Sequence, residues 1–127
     1  MTKIAVLVSG RGSNLQAIID SIENGYLKAE ISVVISDIAG AYALERAKKH
    51  GLNAVHIDPK RFENKESYEE EVLGVLKNKK VELVLLAGYM KIIGKILLSS
   101  YKNRILNIHP ALLPAFPGLH AQQQALD

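Results

Sequence analysis

Five short runs rich in Val, Ile and Leu alternate with amphipathic segments, and this alternation constrains the chain more than any other feature. The runs span Lys3 to Ser9, Glu30 to Ser36, Ala54 to Ile57, Leu83 to Leu86 and Arg104 to Ile108. Near-continuous apolar character marks strands buried on both faces, as in a parallel sheet covered by helices on two sides. Between the first two runs, Leu15, Ile18, Ile19 and Ile22 recur at helical spacing, and Ser13-Asn14-Leu15-Gln16 predicts a capping box at the helix start. Ser67-Tyr68-Glu69-Glu70 repeats that signature ahead of Val72, Val75 and Leu76. Lys77, Lys79 and Lys80 follow where they favour the negative end of the helix dipole, and read as a solvated helix end. Tyr42 to His50 and Gly94 to Tyr101 read as shorter helices. The expected fold is α/β, a Rossmann-like, doubly wound, mostly parallel sheet.

A chain of 127 residues with 48% hydrophobic content suits one domain, residues 1–127, with no second. The 16 Lys and Arg against 13 Asp and Glu leave a net charge of +3, scattered along the chain. That balance favours a small anionic ligand over a nucleic acid. The apolar run Ile4 to Val8 is too short for a signal-peptide core or a membrane span, so a cytoplasmic protein without membrane contact is expected. The absence of cysteine excludes disulfides, zinc thiolate sites and a Cys nucleophile, and no metal is expected. Leu119 to Asp127 reads as a helix just beginning, so the expectation is a domain incomplete at its C-terminal end, from a longer protein.

Three chemically loaded segments follow strands, at the edge where open α/β sheets bind ligands. In Ser9-Gly10-Arg11-Gly12-Ser13-Asn14, a flexible turn feeds a helix N-terminus, where backbone N–H groups and the dipole favour a phosphate. Gly10 and Gly12 allow close approach of an anion, and Ser13 and Asn14 add side-chain donors. Leu15 stands where a dinucleotide fingerprint requires glycine, and no Gly-Lys-Ser/Thr of a Walker loop follows. In Ala87-Gly88-Tyr89-Met90-Lys91-Ile92-Ile93 the backbone can bracket a flat heterocycle, although such a run also suits plain core packing. In Asn107-Ile108-His109-Pro110, residues two apart point to one side of an extended strand, and Pro110 favours that geometry at His109. An amide donor beside a titratable imidazole is the minimum equipment for acyl-type transfer through a tetrahedral intermediate.

Gly12-Ser13-Asn14, Ala87-Gly88-Tyr89-Met90-Lys91-Ile92 and the run N-I-H-P-A-L-L-P-A-F-P-G-L-H at 107–120 resemble the phosphoribosylglycinamide formyltransferases of de novo purine synthesis, in order and spacing over the whole chain. The resemblance implies the formyltransferase fold and transfer of a formyl group from 10-formyltetrahydrofolate to the amino group of glycinamide ribonucleotide. It implies that Gly12, Ser13 and Asn14 hold the substrate phosphate, and that Lys65, Met90, Lys91, Ile92 and Ile93 contact the folate. Asn107 would contact the formyl group and His109 would donate the proton. The family also uses an Asp beyond the His loop to favour the protonated imidazole. Asp127 follows that loop too closely to correspond to it. The partners implied are the two small molecules, with the protein a monomer or homodimer.

A formyltetrahydrofolate deformylase shares fold and cosubstrate but delivers the formyl group to water. Its family carries an N-terminal regulatory domain, whereas this chain begins directly on its first strand. Methionyl-tRNA formyltransferase matches less well in the glycine loop. A non-catalytic nucleotide or anion-binding module would explain that loop but leave Asn107 and His109 without purpose. His50 and His56 read as structural or surface residues. Asp37, placed where a dinucleotide fold keeps a ribose-binding acid, reads as a loop residue, and His120 lies in the signature loop without an assigned role.

Overall fold

A computed structural model describes residues 1–108. His109, the Pro-bounded loop after it, His120 and the expected helix from Leu119 lie outside the described residues. Five strands, β1 (Thr2–Val8), β2 (Ala29–Ser36), β3 (Ala54–His56), β4 (Leu83–Leu86) and β5 (Ile105–Asn107), form one sheet of order β3-β2-β1-β4-β5. Every pairing is parallel. The helices are α1 (Ser13–Glu23), α2 (Tyr42–Lys49), α3 (Lys65–Asn78) and α4 (Lys95–Ser100). A 3-10 turn at Pro59–Arg61, capped by the Asp58 side chain, is an addition to the elements read from the sequence.

Side-chain alternation divides the core into two layers. Ile4, Val6, Val8, Leu83, Leu85 and Leu106 point toward Leu15, Ile18 and Ala43 of α1 and α2. Ala5, Leu7, Val84 and Ile105 point the other way, toward Tyr68, Val72 and Leu76 of α3 and Leu97 of α4. This two-sided cover explains why the strands lack the polar alternation of a half-exposed sheet. One irregularity interrupts β2. Ile4 pairs with Ile31 but Ala5 pairs with Val33, so Ser32 is an extra residue. Such a bulge lets Ala29 and Ile31 share a layer with Val34 instead of with Val33.

Both expected capping boxes are corrected. Helix α1 starts at Ser13 itself, after Gly12 in the left-handed conformation (φ 81°), with no side-chain cap. Gln16 does not reach back to the helix start. Its amide donates to Asp20 at 3.0 Å and accepts from Arg46 at 3.2 Å. Helix α3 starts earlier than expected, because Asn64 takes the cap position and its side chain accepts from the Ser67 N–H at 2.8 Å. That upstream acceptor adds Lys65 and Glu66 to the first turn.

Candidate active site

The strand order reverses between β1 and β4, so the crevice of this sheet lies at their carboxyl ends. The β1–α1 turn, the β4–α4 loop and the end of β5 all reach this edge. The glycine turn is held from behind by α2. The Ala43 N–H donates to the Gly10 carbonyl at 3.3 Å, and Arg46 Nε donates to the Arg11 carbonyl at 2.9 Å. The Arg46 guanidinium also lies 4.7 Å from the Tyr42 ring centroid. With these carbonyls turned toward α2, the first N–H groups of α1 carry no intrahelical acceptor and form the positive end of the helix dipole.

The two glycines differ in purpose. A Cβ at Gly10 meets nothing within 4 Å, whereas one at Gly12 would lie 2.7 Å from the Ala43 Cβ. Glycine at 12 is thus required by its left-handed backbone and by the packing of α2. Ser13 is exposed. The Asn14 amide instead turns across the crevice and donates to the Ile108 carbonyl at 3.3 Å. It ties the turn to the end of β5. Asn107, between buried Leu106 and Ile108, is exposed and by strand alternation lies toward the α3 and α4 side.

On that side a cleft of about 500 Å³ opens between the start of α3 and the β4–α4 loop. Its walls include Phe62, Lys65, Tyr68, Tyr89, Met90, Lys91 and Ile92. Met90 and Ile92 are 80% and 79% exposed, an apolar lip suited to a flat ligand. Ile93 is not among the lining residues; it packs on the α3 and α4 core layer, so of the expected folate contacts it is the one turned inward. In the wall, the Tyr68 and Tyr89 hydroxyls lie 2.6 Å apart, and Phe62 meets Tyr68 edge-on with centroids 5.9 Å apart. Burial raises both phenol pKa values above the usual 10; the hydroxyl contact opposes the rise at Tyr68 and adds to it at Tyr89.

Polar groups to which the sequence reading gives no anchoring role hold this loop. Ser9 Oγ, 4% exposed, donates to Asp37 at 2.6 Å and accepts from the Met90 N–H at 2.8 Å. Asp37 is therefore a buried acceptor, more than a loop residue. At the far end, buried Glu69 accepts from the Gly94 N–H and, at 3.4 Å, from the Leu97 N–H. Its signal was present in the sequence: Glu69, Val72 and Leu76 share one apolar stripe of α3. Lys91 borders the cleft and an adjoining cavity of about 300 Å³ that also includes Asp37, His56 and Lys60. His50 lies elsewhere, paired with Glu23 at 3.0 Å. Among the described residues, no group of three or more His, Asp or Glu gathers as a metal site, and no helix is long and apolar enough to cross a membrane.

Residues 2–127 match the formyl transferase family. The chain is 47% identical over 127 residues to the trifunctional purine biosynthetic protein adenosine-3 of Drosophila pseudoobscura pseudoobscura, covering 98% of this chain and 9% of that protein. It is 42% identical over 124 residues to the phosphoribosylglycinamide formyltransferase of Escherichia coli (strain K12), covering 98% of this chain and 58% of that enzyme. Among solved structures, glycinamide ribonucleotide transformylase 1 from Symbiobacterium toebii aligns with a TM-score of 0.83 at 49% identity, over 99% of this chain and 59% of that one. This chain therefore spans less than two thirds of the length of these relatives. The α/β sheet, the edge on which its loops converge and these matches together make the chain a member of the formyl transferase family.

Proposed function

We propose that the protein transfers the formyl group of 10-formyltetrahydrofolate to the amino group of glycinamide ribonucleotide, with residues 1–127 belonging to a single catalytic domain. The observation that carries this reading is the convergence of a helix N-terminus, an apolar cleft and Asn107 on one sheet edge, cross-tied by Asn14 and Ser9. The N-terminus of α1 suits the ribonucleotide phosphate, with Gly12 and Ser13 supplying backbone N–H groups. The cleft suits the folate, its apolar lip at Met90 and Ile92 facing the ring system. Lys65 and Lys91 stand at its border for carboxylates.

Chemically, attack of an amine on a formyl carbon places negative charge on the carbonyl oxygen, and the folate nitrogen must leave protonated. The Asn107 amide addresses the first need and an imidazolium at His109 the second. A preorganised oxyanion donor contributes ~10²–10³ in rate and a positioned general acid ~10²–10⁴. Holding both reactants on one edge adds the advantage of proximity. The test is to incubate the protein with 10-formyltetrahydrofolate, with and without glycinamide ribonucleotide, and follow tetrahydrofolate formation. Release that depends on the ribonucleotide is expected. Equal release without it would assign the formyl group to water and replace this reading with a deformylase.

A further inference from the structure

We propose that Ser9 and Asp37 form a buried brace that sets the position of the Met90 to Ile92 segment, making them positioning residues for the folate side of the site and not for the ribonucleotide side. The inference deepens the formyl-transfer reading and rests on it.

A serine hydroxyl has one proton and can also accept, while a carboxylate can only accept. With Asp37 at 2.6 Å and the Met90 N–H at 2.8 Å, the Ser9 hydroxyl points its proton at Asp37 and turns a lone pair to Met90. Asp37 thus orients the hydroxyl that holds Met90. The Ser9 N–H meanwhile donates to the Gly88 carbonyl at 3.3 Å, so Ser9 grips the loop on both sides of Tyr89. Met90 and Ile92 have little burial of their own to fix them. Their placement falls to the backbone anchors, Ser9 at Met90 and Glu69 at Gly94. The anion turn has separate supports in Ala43, Arg46 and the Ile108 carbonyl. Loosening the brace therefore shifts the cleft wall and leaves the turn in place.

The test compares Ser9→Ala, Asp37→Ala and Asp37→Asn with the unsubstituted protein, titrating each with tetrahydrofolate and with glycinamide ribonucleotide. Amide hydrogen exchange is followed at Met90. Ser9→Ala and Asp37→Ala should bind tetrahydrofolate about three- to tenfold more weakly, as expected for one net hydrogen bond. Ribonucleotide affinity should change much less, and the Met90 amide should exchange faster. Asp37→Asn, whose amide oxygen still accepts from Ser9, should recover most of the affinity lost in Asp37→Ala. Equal losses for the two ligands, or Asp37→Asn no better than Asp37→Ala, would overturn the proposal. If Ser9→Ala does not fold, the Asp37 pair carries the test, since both variants keep the Ser9 hydroxyl. Failure of the unsubstituted protein to bind tetrahydrofolate would remove the folate reading and the brace's role together. Unaltered folate affinity in the variants, with the parent protein binding, overturns the brace alone.

Discussion

The carboxylate of Glu69, on α3, accepts from the backbone N–H of Gly94 and so closes the start of α4 with a side chain from a neighbouring helix. Glu69 is 3% exposed, and removing it takes the acceptor from the part-buried Gly94 N–H and the buried Leu97 N–H. Glu69→Ala should cost about 1.5–3 kcal/mol in urea unfolding, the range for hydrogen bonds to a charged group, and Glu69→Gln less. Gly94→Ala should also destabilise, because its Cβ would lie 3.0 Å from both carboxylate oxygens. A Glu69→Ala midpoint equal to that of the parent would show that solvent replaces this cap.

Gly12→Ala tests the junction of the anion turn with α2. The new methyl would meet the Ala43 Cβ at 2.7 Å from a left-handed backbone, so a loss of about 1–3 kcal/mol is expected. Glycinamide ribonucleotide binding should weaken more than tetrahydrofolate binding. Calorimetric titration of the folded variant with each ligand reads the difference, and an equal effect on both would separate the turn from the phosphate.

His109→Ala should lower the single-turnover rate by ~10²–10⁴ and Asn107→Ala by ~10²–10³, each with binding of both substrates largely retained. Rapid-mixing assays at saturating substrate isolate the chemical step. An unchanged rate in either variant would remove that residue from the mechanism.

The phenols of Tyr68, Tyr89 and Tyr101 are all shifted upward, chiefly by burial. An acid held above its unfolded pKa retains its proton in the folded state after the unfolded chain has lost it. These groups therefore contribute stability that is present below about pH 10 and lost as pH rises beyond it. Denaturant midpoints measured from pH 8 to pH 12 should fall above about pH 10. Tyr89→Phe should make that fall shallower, and an identical slope would discount the hydroxyl pair.

Strand positions were readable because Val, Ile and Leu runs buried on both faces leave an unambiguous local pattern, as in Val33 to Ile35. The positions of the loops at the strand ends are readable for a related reason, since glycines and polar residues interrupt those runs there. Caps were misplaced because the start of a helix depends on competition among nearby acceptors. Asn64 prevails over Ser67, and the contact with Ala43 selects Gly12 over a side-chain cap at Ser13. The Ser9, Asp37 and Met90 connection is not visible locally at all. It joins the ends of three strands that only the sheet order makes neighbours.

That sheet order also bears on how the protein is born. Ser9 and Met90 are separated by 81 positions and Asn14 and Ile108 by 94, so during synthesis the first halves of both contacts leave the ribosome long before their mates exist. Strand β1, the central strand of the sheet, can pair with β2 early, but its other edge waits for β4. Until then the nascent chain exposes an open apolar strand edge, a surface prone to pairing with other chains. Closing such distant contacts is slow as well as late. The edge on which the loops converge is consequently among the last parts to form, and the interval before β4 arrives is when the growing chain is most open to pairing with others.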